Sequence, residues 1–203
     1  MGQILVPPVP NLPLATTDYE RQYQEQFNKT LRLYFTRLDA VLRPLTLGFN
    51  NYATFYDKQT RTNPVANAEN LMAYDTVAEG FGITLEGSPP TRIKVSKPGV
   101  YNFQFSSQLD HSGGGAVTFY FWFKINGTAI PYTGTKVVVN GPNSETAAAW
   151  NYLVTMHAGD YFELAWSATD TTAIILSAAA APPVPAIPST IMTVTYVCPN
   201  DVG

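Results

Sequence analysis

The chain has 203 residues, of which 45% are hydrophobic and only 13% are charged, and its formal net charge is −3. A chain with so little charge and so many aromatic residues does not have the composition of a disordered protein. The absence of a basic surplus gives no sign of a nucleic-acid surface, and one cysteine, Cys198, excludes an intrachain disulfide and a CxxC metal site. No apolar run reaches the ~18 residues that a membrane-spanning helix needs. We therefore expect neither nucleic acid nor a membrane as a partner.

Residues 1–15 form an apolar arm that is rich in proline, a residue that opposes helix and favours an extended course. The arm has no core of its own, and the apolar side chains that need covering are Ile4, Leu5, Val6, Leu12 and Leu14. Two interpretations stay open, a disordered terminus and a docking peptide that becomes ordered against a partner. No basic segment precedes the apolar run, so we expect no signal peptide and expect the chain to be made and kept in a cytoplasm.

Residues 16–47 are predicted to hold one helix, running from about Tyr19 to Leu42. Thr17 or Asp18 can cap its N-terminus, and Pro44 is expected to stop it. Its apolar residues step by four and three, the spacing of a heptad seam: Phe27, Leu31, Tyr34, Leu38 and Val41. The seam is too short to establish a coiled coil. The helix either packs on its own domain or forms a short oligomerisation stalk.

From residue 48 to residue 203 the pattern is β, because turn residues recur at the spacing of short strands. The clearest strand is GVYNFQFSSQLD, in which apolar and polar residues alternate. Asn126–Gly127 predicts a type I′ hairpin turn, followed by a strand that begins near Thr128. Other strands are predicted at Tyr52–Tyr56, Phe81–Leu85, Arg92–Val95, Val117–Ile125, Ala147–Met156, Tyr161–Ala168, Thr172–Leu176 and Thr190–Val197. Without a helix between them, these strands predict a mainly β protein with an antiparallel jelly-roll sandwich.

The strand VTFYFWFKI is apolar on both faces. One face is predicted to fill the core between the sheets, with Val117, Phe119, Phe121, Phe123 and Ile125. The other face leaves Tyr120 and Trp122 outside. Burying two such rings removes ~300 Å² from water, which stabilises an assembly by several kcal/mol. We therefore expect these two rings to lie in an interface between subunits.

The segment Ser177–Ser189 contains neither a charge nor a glycine. Its four prolines keep it out of the centre of a sheet, so it is predicted to be a long loop between the last two strands. The loop either folds over one end of its own sandwich or forms a contact surface at the tip of the domain.

Catalytic and metal-binding patterns are missing from the sequence. His111 is predicted to lie in a glycine-rich loop and His157 to be a surface histidine at a turn, and two histidines with one distant cysteine do not have the spacing of metal ligands. Glu163 is the one acid within a predicted strand, and its alternation with Phe162 and Leu164 predicts the solvent face. We expect no enzyme activity, no cofactor and no metal.

Four segments between about Gly80 and Val197 resemble, in order, the trimeric jelly roll of the tumour necrosis factor and complement-globular-head superfamily. They are KPGVYNFQFSSQ, VTFYFWFKINGTAIP, NYLVTMHAGDYFELAWSA and STIMTVTYV. The resemblance implies a TNF-like jelly roll and a homotrimer. The chain departs from the family in its proline-alanine loop and in having no collagen repeat and no secretory leader.

The N-terminal segment VPPVPNLPLATTDYERQYQEQFNKTLRLYFTRLDAVL resembles the head of virion proteins from tailed bacteriophages. In those proteins a Leu-Pro segment and an aromatic-rich helix precede a jelly roll or fibre, and the helix ends in a pattern that here is LRLYFTRLD, Leu31–Asp39. The resemblance implies a homotrimer on a virion, assembled in the host cytoplasm and attached by its N-terminus to other virion proteins such as the major capsid protein.

A trimer implied by resemblance gives the singled-out residues their expected roles. Tyr120, Trp122, Leu31 and Leu38 are the expected trimer-interface residues, and Ile4, Leu5, Val6, Leu12 and Leu14 are the expected capsid-docking residues. The short chain with one globular module favours a capsid decoration protein, of the cement or head-fibre kind. The alternative is the tip of a receptor-binding tail fibre that recognises a host surface glycan or protein. An enzyme such as a depolymerase ranks last, since no catalytic group of residues supports it.

Overall fold

A computed structural model of the chain describes residues 10–12, 21–48, 51–141 and 144–199, with side chains of 43–48 not described. The chain divides into two compact units, Met1–Phe49 and Asn50–Gly203. The predicted three-part division at residues 15 and 47 stays a prediction, because most of the arm lies outside the described residues.

The first unit contains the helix α1, Arg21–Gly48. The expectation that Pro44 stops the helix is wrong. A proline within a helix removes one hydrogen bond and costs roughly 3 kcal/mol, but its fixed φ of about −65° is itself helical, so the chain can continue through it. The expected N-terminal cap lies outside the described residues. Within the residues that the structure describes, no helical segment combines the length and the hydrophobicity of a membrane span.

The heptad seam of α1 is more sheltered than the remainder of the helix. Its members Phe27, Leu31, Tyr34, Leu38 and Val41 are all half-buried. Leu33 and Phe35, which lie off the seam, are 53% and 58% exposed. Whether the seam meets a second helix stays a prediction.

The second unit contains fourteen strands among its described residues. They are β1 (Tyr52–Asp57), β2 (Arg61–Thr62), β3 (Asn70–Leu71), β4 (Thr76–Phe81), β5 (Ile83–Gly87), β6 (Pro90–Val95), β7 (Gly99–His111), β8 (Ala116–Ile125), β9 (Thr128–Ala129), β10 (Thr135–Asn140), β11 (Ser144–Met156), β12 (Tyr161–Ala168), β13 (Ala173–Ile175) and β14 (Thr190–Cys198).

Two antiparallel sheets of seven strands each form a sandwich. In sheet I the main strands are ordered β4–β1–β14–β7–β11, with β13 beside the end of β7 and β2 beside β13. In sheet II the order is β10–β8–β12–β6–β5, with β3 on β12 and β9 on β8. Between β4 and β14 the chain crosses between the sheets from β4 to β5, from β6 to β7, from β7 to β8, from β10 to β11, from β11 to β12 and from β12 to β13. This is the connectivity of a jelly roll, and the predicted mainly β fold with one N-terminal helix is confirmed.

The core lies between the two sheets and is built largely from aromatic rings. The rings of Phe103 in sheet I and Phe162 in sheet II are stacked with their centroids 4.0 Å apart. The rings of Phe105 and Phe121 are 5.5 Å apart across the same space. The predicted inward face of β8 is buried at Val117, Phe119, Phe121 and Phe123, while Ile125 is half-buried against the core.

The turn after β8 is the predicted type I′ turn, because Asn126 and Gly127 both have positive φ, 51° and 78°. The strand expected from Thr128 is only the two-residue β9. The longer β10 follows after a loop and pairs with β8 from Thr135 to Asn140, a strand that the sequence did not predict.

Candidate functional site

The two histidines do not form a reactive cluster. The prediction that His111 lies in a loop is wrong, because β7 extends to His111, which pairs with Ser144 and Ala173 and is fully buried. Its Nδ1 accepts a hydrogen bond from the N–H of Gly113 at 3.2 Å. His157 is exposed, as predicted. The described residues contain no group of three or more His, Cys, Asp and Glu that could hold a metal ion.

Glu163 is buried, which contradicts its predicted place on the solvent face. Its phase is as predicted, since Phe162 and Leu164 point into the core, yet only 2% of Glu163 is exposed. The side chain accepts hydrogen bonds from Thr91 at 3.1 Å and from Arg92 Nε at 3.4 Å. Strand β12 is central in sheet II, so neighbouring strands flank its outer face on both sides. Alternation reports the face of a residue but not how far its neighbours cover it.

Tyr120 and Trp122 lie on the outer face of sheet II, as alternation predicted. Tyr120 is 40% exposed, whereas Trp122 is half-buried by its own subunit. A groove of about 560 Å³ opens beside the two rings. Its other walls are formed by Phe121, Ile130, Gly134, Thr135, Lys136 and Ser167. Gly134 has no side chain and that of Ser167 is small, which leaves room next to the rings. We call this space the aromatic groove.

The charged side chains of this outer face are paired, with one exception. Lys124 lies 2.5 Å from Glu69, Lys94 lies 3.2 Å from Glu86, and Arg92 lies 3.4 Å from Glu163. Lys136, whose register partner on β8 is Tyr120, has no ion pair among the described residues. The aromatic groove therefore carries a positive charge that nothing in the described chain neutralises.

The outer face of sheet I has a different chemistry, which the sequence analysis missed. Apart from Asp110 and Glu145 at one end, its outward positions on β1, β7, β11 and β14 are uncharged: they are Tyr52, Thr54, Tyr56, Val100, Asn102, Gln104, Ser106, Gln108, Ala147, Ala149, Asn151, Leu153, Thr155, Ile191, Thr193 and Thr195. Charge appears only at the margins, at Glu79 on β4 and at Asp110 and Glu145 at one end. We call this surface the uncharged face.

Large apolar side chains are exposed on the uncharged face. Leu153 is 67% exposed, and Phe81 and Tyr52, which pair across β4 and β1, are 57% and 45% exposed. The signal was present in the sequence, since the polar residues that alternate in GVYNFQFSSQLD before its final Asp are Asn, Gln and Ser rather than Lys or Glu. Alternation alone predicts that the outer face is exposed to solvent, but it does not distinguish charged polar residues from uncharged ones.

The loop Ser177–Ser189 lies between β13 and β14, as predicted. Two bridges, Ala178 with Ile187 and Ala181 with Val184, fold it into a short hairpin. Val184 near its tip is 50% exposed. Its base is held because the carbonyl oxygen of Asp57 accepts the N–H of Ser189 at 2.9 Å. Whether the tip contacts a partner stays a prediction.

The base of this loop is fixed further by a partly buried ion pair between Asp57 and Arg61. The fully buried carboxylate of Asp57 accepts two hydrogen bonds from Arg61, at 2.6 and 3.0 Å. These bonds raise the pKa of Arg61 above its ordinary value, against an opposing effect of burial. The charge of Asp75 adds to this effect on Arg61.

The remaining predicted site residues lie in the first unit. Leu31 and Leu38 are half-buried in α1, and Leu12 is 43% exposed. The arm residues Ile4, Leu5, Val6 and Leu14 lie outside the described residues. The docking and stalk roles of these residues therefore stay predictions.

No protein-family model matches the chain, and no curated protein matches it. Among solved structures, the chain is similar to the globular domain of the zebrafish complement 1qA protein, with a TM-score of 0.46 and 11% sequence identity. The alignment covers 74% of this chain and 99% of that one. The jelly-roll assignment rests on the strand order described above.

Proposed function

We propose that the chain is a non-enzymatic structural protein of a tailed-bacteriophage virion, displayed as a homotrimer and attached to the capsid by its N-terminus as a decoration protein. The resemblance of the N-terminal segment to virion proteins supports a location on the virion. The resemblance of the jelly roll to a trimeric superfamily supports a trimer. The observation that carries self-association is the uncharged face of sheet I.

The uncharged face has the composition of a surface that is buried between subunits. The cores of subunit interfaces are depleted in charged residues and rich in aromatic and other apolar ones. Here Leu153, Phe81 and Tyr52 are exposed among Thr, Ser, Asn, Gln and Ala. Burial of apolar area stabilises an assembly by ~25 cal/mol per Å², and neutral polar groups lose less on leaving water than charges do. We therefore place the subunit interface on this face.

The sequence-based assignment of Tyr120 and Trp122 to the interface stays a prediction. It assumed that a single subunit leaves both rings in water, and the half-burial of Trp122 weakens that assumption. Leu31 and Leu38 retain their proposed role in a helical stalk, and Ile4, Leu5, Val6, Leu12 and Leu14 retain theirs in docking to the major capsid protein. The exposure of Leu12 agrees with docking.

The oligomeric state separates the two candidate interfaces. Tyr52→Glu with Leu153→Glu places two like charges on the uncharged face at exposed sites, where a single subunit tolerates them. Tyr120→Glu makes the same kind of change beside the aromatic groove. We expect light scattering with size exclusion to give three times the chain mass for the wild-type chain and for Tyr120→Glu, and one chain mass for the double variant.

A monomeric wild-type chain would refute the trimer. An unchanged trimer in the double variant, with dissociation in Tyr120→Glu, would instead move the interface to Tyr120 and Trp122. Circular dichroism of each variant confirms that the β unit is folded before its mass is interpreted.

Attachment to the particle is tested by deleting residues 1–15. We expect the shortened chain to remain an oligomer and to be absent from purified particles, because the arm supplies the docking side chains. Normal incorporation would contradict the docking role without affecting the trimer.

A receptor-binding fibre tip is the second candidate, and the exposed apolar hairpin of Ser177–Ser189 favours it. Such a tip would recognise a host surface glycan or protein through this loop. Electron cryo-microscopy of particles distinguishes the two functions: we expect many symmetric copies on the shell, and copies found solely at the tail would replace the decoration function by the fibre tip.

A further inference from the structure

We propose that the aromatic groove on sheet II binds an acidic sugar, a pyranose ring that carries a carboxylate. This inference is separate from the virion role. It depends on the groove remaining open in the assembly, which is met if subunits join through the uncharged face on the opposite side of the sandwich.

The shape and lining of the groove suit a ring of sugar size. Small-ligand sites are concave and mainly apolar, with a few polar groups that fix orientation. Tyr120, Trp122 and Ile130 supply the apolar wall around a space of about 560 Å³. The faces of aromatic rings carry a negative quadrupole, and one face of a pyranose presents C–H groups that are weakly positive. A sugar ring therefore packs well against Tyr120 and Trp122.

The groove also offers hydroxyl groups that have no partner in the described chain. Ser167 lies beside its register partner Tyr120 in the groove, and its hydroxyl makes no hydrogen bond to any described residue. Its oxygen still reaches solvent, so a ligand in the groove can form a hydrogen bond with it. The hydroxyls of Thr135 and Tyr120 at the same groove are also unpaired among the described residues. Sugar hydroxyl groups both donate and accept, so they can satisfy all three.

Lys136 gives the site its charge preference. The other cations on this outer face, Lys94, Arg92 and Lys124, are each matched by a glutamate. Lys136 lines the groove, and no acid in the part of the chain that the structure describes forms an ion pair with it. A carboxylate on the ligand would form a charge-assisted hydrogen bond with its ammonium group, which is about twice as strong as a neutral one. No carboxylate among the described residues lines the groove to repel such a ligand.

The test is a titration of the full chain with a trisaccharide of galacturonic acid and, in parallel, with the neutral trisaccharide of galactose. Calorimetry and ligand-observed NMR give the dissociation constants. We expect the acidic sugar to bind about tenfold more tightly than the neutral one. Lys136→Gln should remove that preference, leaving the neutral sugar unaffected, and Tyr120→Ala should weaken both by about tenfold or more.

Tyr132→Asn is the matched control. Tyr132 is a fully exposed tyrosine in the loop between β9 and β10, and it does not line the groove. Its positive φ of 64° suits asparagine. The Tyr132→Asn variant should bind both trisaccharides with the affinities of the wild-type chain.

Three results overturn the proposal. One is no saturable binding of the acidic sugar up to roughly 10 mM. Another is binding that persists unchanged in Lys136→Gln and Tyr120→Ala. The third is a loss of oligomer mass in these two variants without sugar binding, which would make a second copy of the chain the occupant. The oligomer test with the Tyr52→Glu, Leu153→Glu variant does not depend on any of these three results. The proposed function and the sugar site can therefore fail separately.

Discussion

The hydroxyl of Tyr74 is a buried polar group that the fold leaves unpaired. Tyr74 is fully buried, its ring lies 6.1 Å from that of Phe55, and its hydroxyl has no hydrogen-bond partner among the described residues. An unpaired buried hydroxyl costs about 1–3 kcal/mol. Tyr74→Phe removes this hydroxyl and keeps the ring. We expect the free energy of unfolding to stay unchanged or to rise by about 1–2 kcal/mol.

Tyr101→Phe is the matched control. Tyr101 is also fully buried, but its hydroxyl donates to the carbonyl of Lys97 at 2.8 Å and lies 3.3 Å from the amide nitrogen of Asn51. Its removal leaves buried Asn51 with one partner fewer. The same chemical change should therefore lower the free energy of unfolding by about 1–2 kcal/mol.

Alkaline pH provides a second readout for Tyr74. Burial first, and the charge of Asp57 second, raise the pKa of Tyr74 far above its ordinary value. Above a pH of about 10 the unfolded chain loses this proton while the folded chain keeps it, so the wild-type free energy of unfolding falls by ~1.4 kcal/mol per pH unit from this group. Below pH 10 the contribution is constant. Tyr74→Phe should show a shallower fall.

Urea denaturation followed by tryptophan fluorescence measures these quantities at neutral pH and above pH 10. Chain concentration must be held constant, because the stability of an assembly depends on it. A loss of 1 kcal/mol or more in Tyr74→Phe at neutral pH, on the scale set by one hydrogen bond, would show that the hydroxyl has a favourable partner. Equal alkaline slopes for the two chains would refute the reasoning on its titration.

Two further substitutions test the packing and the backbone of the β unit by the same denaturation assay. Phe162→Ala removes a fully buried ring stacked 4.0 Å from Phe103 and should lower the free energy of unfolding by about 3–5 kcal/mol; a loss below 1 kcal/mol would mean that the two sheets repack around the space. Gly82→Ala places a Cβ 2.5 Å from Asn51 Oδ1 at a φ of +71° and should lower the free energy of unfolding by about 1–3 kcal/mol. Gly114→Ala is the control, because there is open space around Gly114, and it should change the free energy of unfolding by less than about 0.5 kcal/mol.

The sandwich was predictable because its inward positions alternate strictly in the longest strands. In β7 the residues Tyr101, Phe103, Phe105 and Leu109 are all buried, and β12 has the predicted bounds Tyr161–Ala168. The short strands were not predictable, since two- or three-residue pairings such as β2 and β3 depend on what the fold brings beside them. Pro44 shows a similar limit, because its local preference for ending a helix does not prevent continuation.

The surfaces were harder to predict than the core. The sequence showed that Tyr120 and Trp122 leave the core, but not that Trp122 is half-covered or that Lys136 reaches the same groove from β10. The burial of Glu163 depends on Thr91 and Arg92, which are about seventy residues away along the chain. Predicting the uncharged face would have required the order of strands in sheet I, and alternation within single strands does not give that order.

Strand β11 leaves one side of its backbone open. It pairs along all 13 residues with β7 and with no other strand of the described chain. At ~3.4 Å per residue its free edge is about 44 Å long, and Glu145 is its only charged residue. Long edges of low charge are templates on which further strands add, and this addition leads to aggregation. We expect concentrated, unassembled subunits to aggregate from this edge, so that assembly has to compete with strand addition as soon as the chain has folded.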